Sequence, residues 1–134
     1  MTEQETPVVR VLVVDDEPSN RALAERVLLA NGYAVDTASD GDEALNLVRE
    51  QARYDLFVLD IRMPGMEGTE LAVRIRQRQP DAKILFFTAY SDQLFEGKRL
   101  LDEHEAFIEK PVSVRELAET VSLMLYGHLR GPAG

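Results

Sequence analysis

Val8-Val9-Arg10-Val11-Leu12-Val13-Val14-Asp15-Asp16 is an aliphatic, mostly β-branched run, interrupted once by Arg10 and closed by two carboxylates. A strand that faces water on one side alternates apolar and polar residues. A run this continuous is what a parallel sheet covered on both faces requires. Leu56 to Leu59, Ile84 to Phe87 and the shorter Ala106 to Ile108 repeat the pattern. Tyr33 to Ala38 offers a weaker, alternating version, and Phe57, Phe86 and Phe87 are core residues by their strand positions.

Amphipathic stretches with start and stop signals lie between these runs. Pro18-Ser19 opens a helix carrying Leu23, Val27 and Ala30, which Asn31-Gly32 ends. Asp40 can cap a second, with Ala44, Leu45 and Val48 on one face, and Thr69 can start a third that runs through Leu71 and Ile75 to Gln79-Pro80. Ser91-Asp92 begins a fourth, in which Gly97 costs about 1 kcal/mol relative to alanine. Ser113-Val114-Arg115-Glu116 reads as a capping box for a fifth, with Val114, Leu117, Val121 and Leu125 as its stripe. Strand followed by helix, five times, predicts an α/β fold, a doubly wound parallel sheet with right-handed crossovers. At 134 residues one domain is expected, over residues 8–127. Residues 1–7 are read as a disordered tail, and 128–134 as a tail or the start of a linker.

Composition narrows the chemistry. The chain has no cysteine, which excludes disulfide scaffolds, thiol catalysis and thiolate metal sites. Its two histidines, His104 and His128, cannot build a multi-histidine centre and are expected to be solvated. A net charge of −9 repels nucleic-acid backbone and anionic lipid, so direct binding to either is not expected. No 18-residue apolar run and no signal-peptide pattern is present, so a cytoplasmic location is expected. Neither GxxxxGK[ST] nor GxGxxG occurs, and the Asp40-Gly41-Asp42 start of a calcium loop fails at Ala44 and Gln51. A flavin carrier would need a hydroxyl- and glycine-rich phosphate loop where Asp15-Asp16-Glu17-Pro18 stands, and an aspartyl-nucleophile phosphatase would want a carboxylate at Arg62.

In an open parallel sheet, ligands bind beyond the carboxyl ends of the strands. Asp15-Asp16 follow the first predicted strand, Asp60 the third, Thr88-Ala89 the fourth and Lys110-Pro111 the fifth. Each has an ordinary explanation alone; Asp16, for one, is a natural helix cap. Together they gather carboxylates, a hydroxyl and an ammonium at one edge. Clustered carboxylates raise one another's pKa unless a cation neutralises them. With oxygen ligands alone the expected ion is hard: Mg²⁺, with Mn²⁺ or Ca²⁺ as alternatives. A carboxylate can itself be the nucleophile, forming an aspartyl-phosphate. A phosphorylated Asp60 beside Asp15, Asp16 and Lys110 sums to about −3, and a divalent ion reduces this to about −1. Phosphoryl transfer rests on positioning and charge neutralisation, so this small set suffices without a general base.

Val11-Leu12-Val13-Val14-Asp15-Asp16-Glu17-Pro18, Leu59-Asp60-Ile61-Arg62-Met63-Pro64-Gly65-Met66-Glu67-Gly68, Phe87-Thr88-Ala89 and Lys110-Pro111, in this order, resemble the receiver domain of two-component response regulators. The resemblance runs from about Val8 to Gly127. It implies a flavodoxin-like receiver fold: five parallel strands in the order 2-1-3-4-5 with five helices. It also implies a phosphorylation-dependent switch of the bacterial two-component kind, a regulator and not an enzyme, which catalyses only its own phosphorylation and dephosphorylation. Asp60 becomes the phosphoryl acceptor, charged by a sensor histidine kinase or a histidine phosphotransfer protein. Asp15, Asp16, Asp60 and the backbone carbonyl of Arg62 become the Mg²⁺ ligands. Lys110, Thr88 and the small Ala89 stabilise the phosphoryl group, Thr88 and Phe107 form the switch, and Arg62 and Tyr90 are candidates for tuning hydrolysis. The Lys110-Pro111 bond is expected to be cis.

The implied signalling surface is the face of the fourth helix, fifth strand and fifth helix. It would act on a downstream protein or an output domain, and is a candidate homodimer contact. The chain departs from the family's pattern at Phe107, where a tyrosine is usual, and at Glu103-His104, where Gly-Ala is common. Met63 to Gly68 is a strand-to-helix turn in any case. The competing reading is an interaction module that keeps this fold without using phosphorylation. Kinase, stimulus and output are not written in these residues.

Overall fold

The computed structural model describes residues 8–50, 53–88, 100–102 and 104–127. Its strands are β1 (Arg10–Val14), β2 (Ala34–Ala38), β3 (Leu56–Asp60), β4 (Ile84–Thr88), β5 (Leu100–Asp102) and β6 (Glu105–Glu109). The helices are α1 (Pro18–Ala30), α2 (Gly41–Glu50), α3 (Gly68–Arg78) and α4 (Val114–Tyr126). The sheet order is β2-β1-β3-β4-β6-β5. The five strands expected from the sequence are β1, β2, β3, β4 and β6; they are mutually parallel and stand in the expected doubly wound order. The helix expected from Ser91-Asp92 lies outside the described residues, so the fifth predicted helix is α4 here. The two chain ends and Glu103 lie outside them as well.

The continuous aliphatic runs are explained by two cores. Leu12, Val14, Phe57, Leu59, Ile84 and Phe86 pack on one face of the sheet with residues of α2 and α3. Val11, Val13, Leu56, Val58, Leu85 and Phe87 pack on the other with residues of α1 and α4. Successive residues of a strand point to opposite faces, so a strand buried twice needs apolar residues at every position. β2, an edge strand, is half-buried over most of its length, in keeping with its weaker pattern.

The helix ends follow local chemistry, with two corrections. Asp40 Oδ1 accepts from the Glu43 amide at 2.8 Å and Ser113 Oγ from the Glu116 amide at 3.0 Å, as the sequence suggests. Asn31 ends α1, and Gly32 takes a left-handed φ of +89°. α3 begins at Gly68, ahead of Thr69, where the Gly68 amide donates at 2.8 Å to the carbonyl of Ile61, the residue that follows β3. The N-cap of α1 is Glu17, so Asp16 is not spent as a cap.

β5 was not expected. It pairs antiparallel with β6, through Leu100↔Ala106 and Asp102↔Glu105, with an irregularity between. The added strand supplies backbone partners to the sheet edge beside β6, where unpaired amides and carbonyls are a liability.

Candidate functional site

The parallel register brings the carboxyl ends of β1, β3, β4 and β6 to one edge of the sheet. Asp60 and Thr88 are the last residues of their strands, one step earlier than the sequence reading placed them, and Asp15 directly follows β1. Asp15, Asp16 and Asp60 each offer a carboxylate oxygen, and these oxygens lie within 4.8 Å of one another. Asp15 and Asp60 are buried, at 1% and 5% exposure, while Asp16 is exposed.

Lys110 reaches into this group from the end of β6. Its Nζ lies 3.3 Å from Asp60 Oδ1 and 3.5 Å from Asp15 Oδ2. The backbone holds it there: the Lys110 amide donates to the Thr88 carbonyl at 2.8 Å, and the following bond to Pro111 is cis, as expected. Asp15 Oδ1 accepts from the Glu17 amide at 2.9 Å. Asp15 Oδ2 is buried and accepts no hydrogen bond among the described residues.

The charges do not balance, and Asp60 records it. Burial first, then the negative charge of Asp15, pushes its carboxyl up to about 7, against the pull of Lys110. A buried carboxylate oxygen without a hydrogen bond, in a set of oxygen donors that outnumber the Lys110 ammonium, fits a hard divalent cation.

Thr88 is buried at the edge of the cluster and faces Glu109 in the β4–β6 register. Phe107, half-buried on β6, stacks on Phe86 of β4 with ring centroids 5.1 Å apart and planes inclined at 20°. Arg62 is exposed in the loop after β3. Ala89 and Tyr90 lie outside the described residues.

Two residues of the site escaped the sequence reading. Gly68 permits close packing: a Cβ there would lie 2.3 Å from the Asp60 carbonyl oxygen. The Pro- and Gly-rich turn was a signal for it, but not for the identity of the atom it approaches. Arg21 donates from Nη1 to the Asp15 carbonyl at 2.8 Å, a long-side-chain contact with no sequence signature.

Comparison with known proteins identifies the family. The model of the response regulator receiver domain matches residues 11–122. This chain belongs to the response regulator receiver domain family. Receiver domains are phosphoryl-accepting signalling domains of two-component systems, and they bind Mg²⁺ at an acidic pocket. Over 116 residues the chain is 37% identical to the sensor kinase CckA of Brucella abortus, covering 86% of this chain and 12% of that protein. It is 36% identical over 121 residues to the transcriptional regulatory protein ResD of Bacillus subtilis, covering 90% of this chain and 50% of that one. The chain thus spans about half the length of such relatives, or less.

Among solved structures, the response regulator TrrA of Thermotoga maritima, in complex with Mg²⁺–BeF, is 41% identical with a TM-score of 0.73, over 88% of this chain and all of that one. Chemotaxis protein CheY4 of Vibrio cholerae is 30% identical with a TM-score of 0.78, over 89% of this chain and all of that one. No helix among the described residues is long and apolar enough to cross a membrane.

Proposed function

We propose that residues 8–127 form a receiver that takes a phosphoryl group onto Asp60 from the histidine of a sensor kinase or a phosphotransfer protein. The observation that carries this is the buried Asp60 carboxylate, with the Lys110 ammonium at 3.3 Å and the Asp15 carboxylate beside it. Asp15, Asp16 and Asp60, with the Arg62 backbone carbonyl, would hold Mg²⁺, and Mn²⁺ fits the same oxygen donors. When bound, the ion supplies the positive charge that the transferring phosphoryl oxygens require.

This chain's residues do the rest. A carboxylate oxygen of Asp60 attacks phosphorus; the P–N bond to the donor imidazole breaks, and its electron pair returns to the ring. Lys110 faces the incoming oxygens with its ammonium. Thr88 offers a hydroxyl to them, and Ala89 leaves room beside the acyl phosphate. Hydrolysis of that acyl phosphate resets the switch, with Arg62 and Tyr90 tuning its rate.

Movement of Thr88 toward the phosphoryl group opens space for Phe107, and the change is read on the face that carries β6 and α4. A coupling of a few kcal/mol suffices, since conversion from 1:99 to 99:1 needs about 5.5 kcal/mol. The output is a partner protein, a second copy of this face or an attached domain, and the setting is the bacterial cytoplasm.

The test is intact-protein mass after incubation with acetyl phosphate and Mg²⁺, beside an EDTA control, the Asp60→Asn variant and a panel of phosphorylated kinases. One added phosphoryl group that needs metal and disappears in the variant supports the proposal. No mass gain from any donor overturns it in favour of a phosphorylation-independent interaction module, for which Asp60→Asn leaves partner binding unchanged.

A further inference from the structure

Arg21 lies at the end of the first turn of α1, half-buried, and its guanidinium turns back toward the end of β1. Its Nη1 donates to the main-chain carbonyl of Asp15 at 2.8 Å. That carbonyl belongs to the peptide joining Asp15 to Asp16, so its orientation sets the directions in which both carboxylates leave the backbone. The surrounding turn is closed by the Asp15 amide donating to the Ala38 carbonyl at 3.2 Å and the Glu17 amide donating to Asp15 Oδ1 at 2.9 Å. Arg21 itself is anchored, its amide donating to the Glu17 carbonyl at 3.0 Å. The whole turn is therefore cross-braced between β1, β2 and α1, and the guanidinium is the brace on the Asp15–Asp16 peptide.

We propose that Arg21 is the positioning residue of the divalent-ion site, holding the Asp15–Asp16 peptide so that both carboxylates converge with Asp60. The inference rests on the reading of that cluster as an Mg²⁺ site. Charge and geometry make opposite demands here, which is what makes the role testable. As a charge, Arg21 repels a nearby cation, and its removal would tighten Mg²⁺ binding. As a brace, it orders two ligands, and loss of such an outer partner weakens metal affinity about 10- to 100-fold.

The experiment is calorimetric titration of Mg²⁺ alone into the full chain at fixed ionic strength, for wild type, Arg21→Met and Arg21→Lys. Methionine keeps the aliphatic stem and removes both donor and charge; lysine keeps a long donor. Arg21→Met is expected to bind Mg²⁺ about tenfold more weakly, and Arg21→Lys to recover part of the loss. Unchanged or tighter binding by Arg21→Met overturns the inference, as does a lysine variant as weak as the methionine one. If Arg21→Met does not fold, Arg21→Lys decides against wild type: weaker binding supports the brace, and equal or tighter binding overturns it. Absence of Mg²⁺ binding by the wild type overturns the metal-site reading and this inference with it. Binding by the wild type matched by Arg21→Met overturns this inference alone.

Discussion

The two ends of the sheet handle charge in opposite ways. At the amino ends of the strands, ionic and polar groups are matched to partners. Arg76 donates to Glu105 Oε2 at 3.1 Å and to the carbonyls of Ala82 and His104. Lys83 Nζ donates to the Met124 carbonyl at 2.7 Å, and Gln79 Nε2 to the Tyr54 carbonyl at 2.8 Å. On the surface nearby, the Arg53 guanidinium hydrogen-bonds Asp81 and holds its carboxyl below the usual value. At the carboxyl ends, three carboxylates cluster with the Lys110 ammonium beside two of them, one buried oxygen accepts no hydrogen bond among the described residues, and Asp60 is pushed up to about 7. The amino end is built to be finished when folding ends. The carboxyl end is left short of positive charge, at a cost in stability that a bound cation would relieve.

The contrast breaks most completely if Asp60 is not the odd group. Asp60→Asn is expected to lose all metal-dependent phosphoryl incorporation, read by intact mass, while retaining the fold by circular dichroism.

Gly68→Ala attacks the same end through the backbone, because the new methyl must displace the Asp60 carbonyl oxygen, which lies 2.3 Å from the ideal Cβ position. It is expected to cost about 3 kcal/mol in denaturant unfolding and to weaken Mg²⁺ binding together with it.

A pH series sharpens the electrostatic side. A carboxyl whose folded pKa is raised binds more protons folded than unfolded between its ordinary value near 4 and about 7. Metal-free stability should therefore fall across that window and stay low above it. Saturating Mg²⁺ or Asp60→Asn should flatten the slope. An unchanged slope in the variant would assign the pH dependence to other groups.

Arg76→Ala tests the finished end. Losing a half-buried guanidinium that ties α3 to the starts of β4 and β6 should cost about 1.5 kcal/mol and leave Mg²⁺ affinity unchanged. The smallest effect is expected for Arg53→Ala, whose exposed pairing with Asp81 should leave the thermal midpoint unchanged within error.

The local patterns carried most of the architecture. Apolar residues at every position of Val11–Val14 and Leu56–Leu59 meant strands buried twice, and Asp40 and Ser113 marked helix starts that form as read. The carboxylates, hydroxyl and lysine that matter for the site could be named because parallel strands put all their carboxyl ends on one side. The short β5 was not legible, since three residues pairing antiparallel with the neighbouring β6 leave almost no periodic signal.

What the sequence alone determined was which groups arrive at that edge; what the tertiary structure decided was the state in which they are kept. Register across four strands sets the 3.3 Å between Lys110 and Asp60, and burial removes the water that would hold Asp60 near its ordinary pKa. Close approach fixes the need for glycine at position 68, and a side chain on α1 braces the peptide behind two carboxylates. Desolvation and long-range contact depend on the whole envelope of the fold, and no local pattern of residues encodes them.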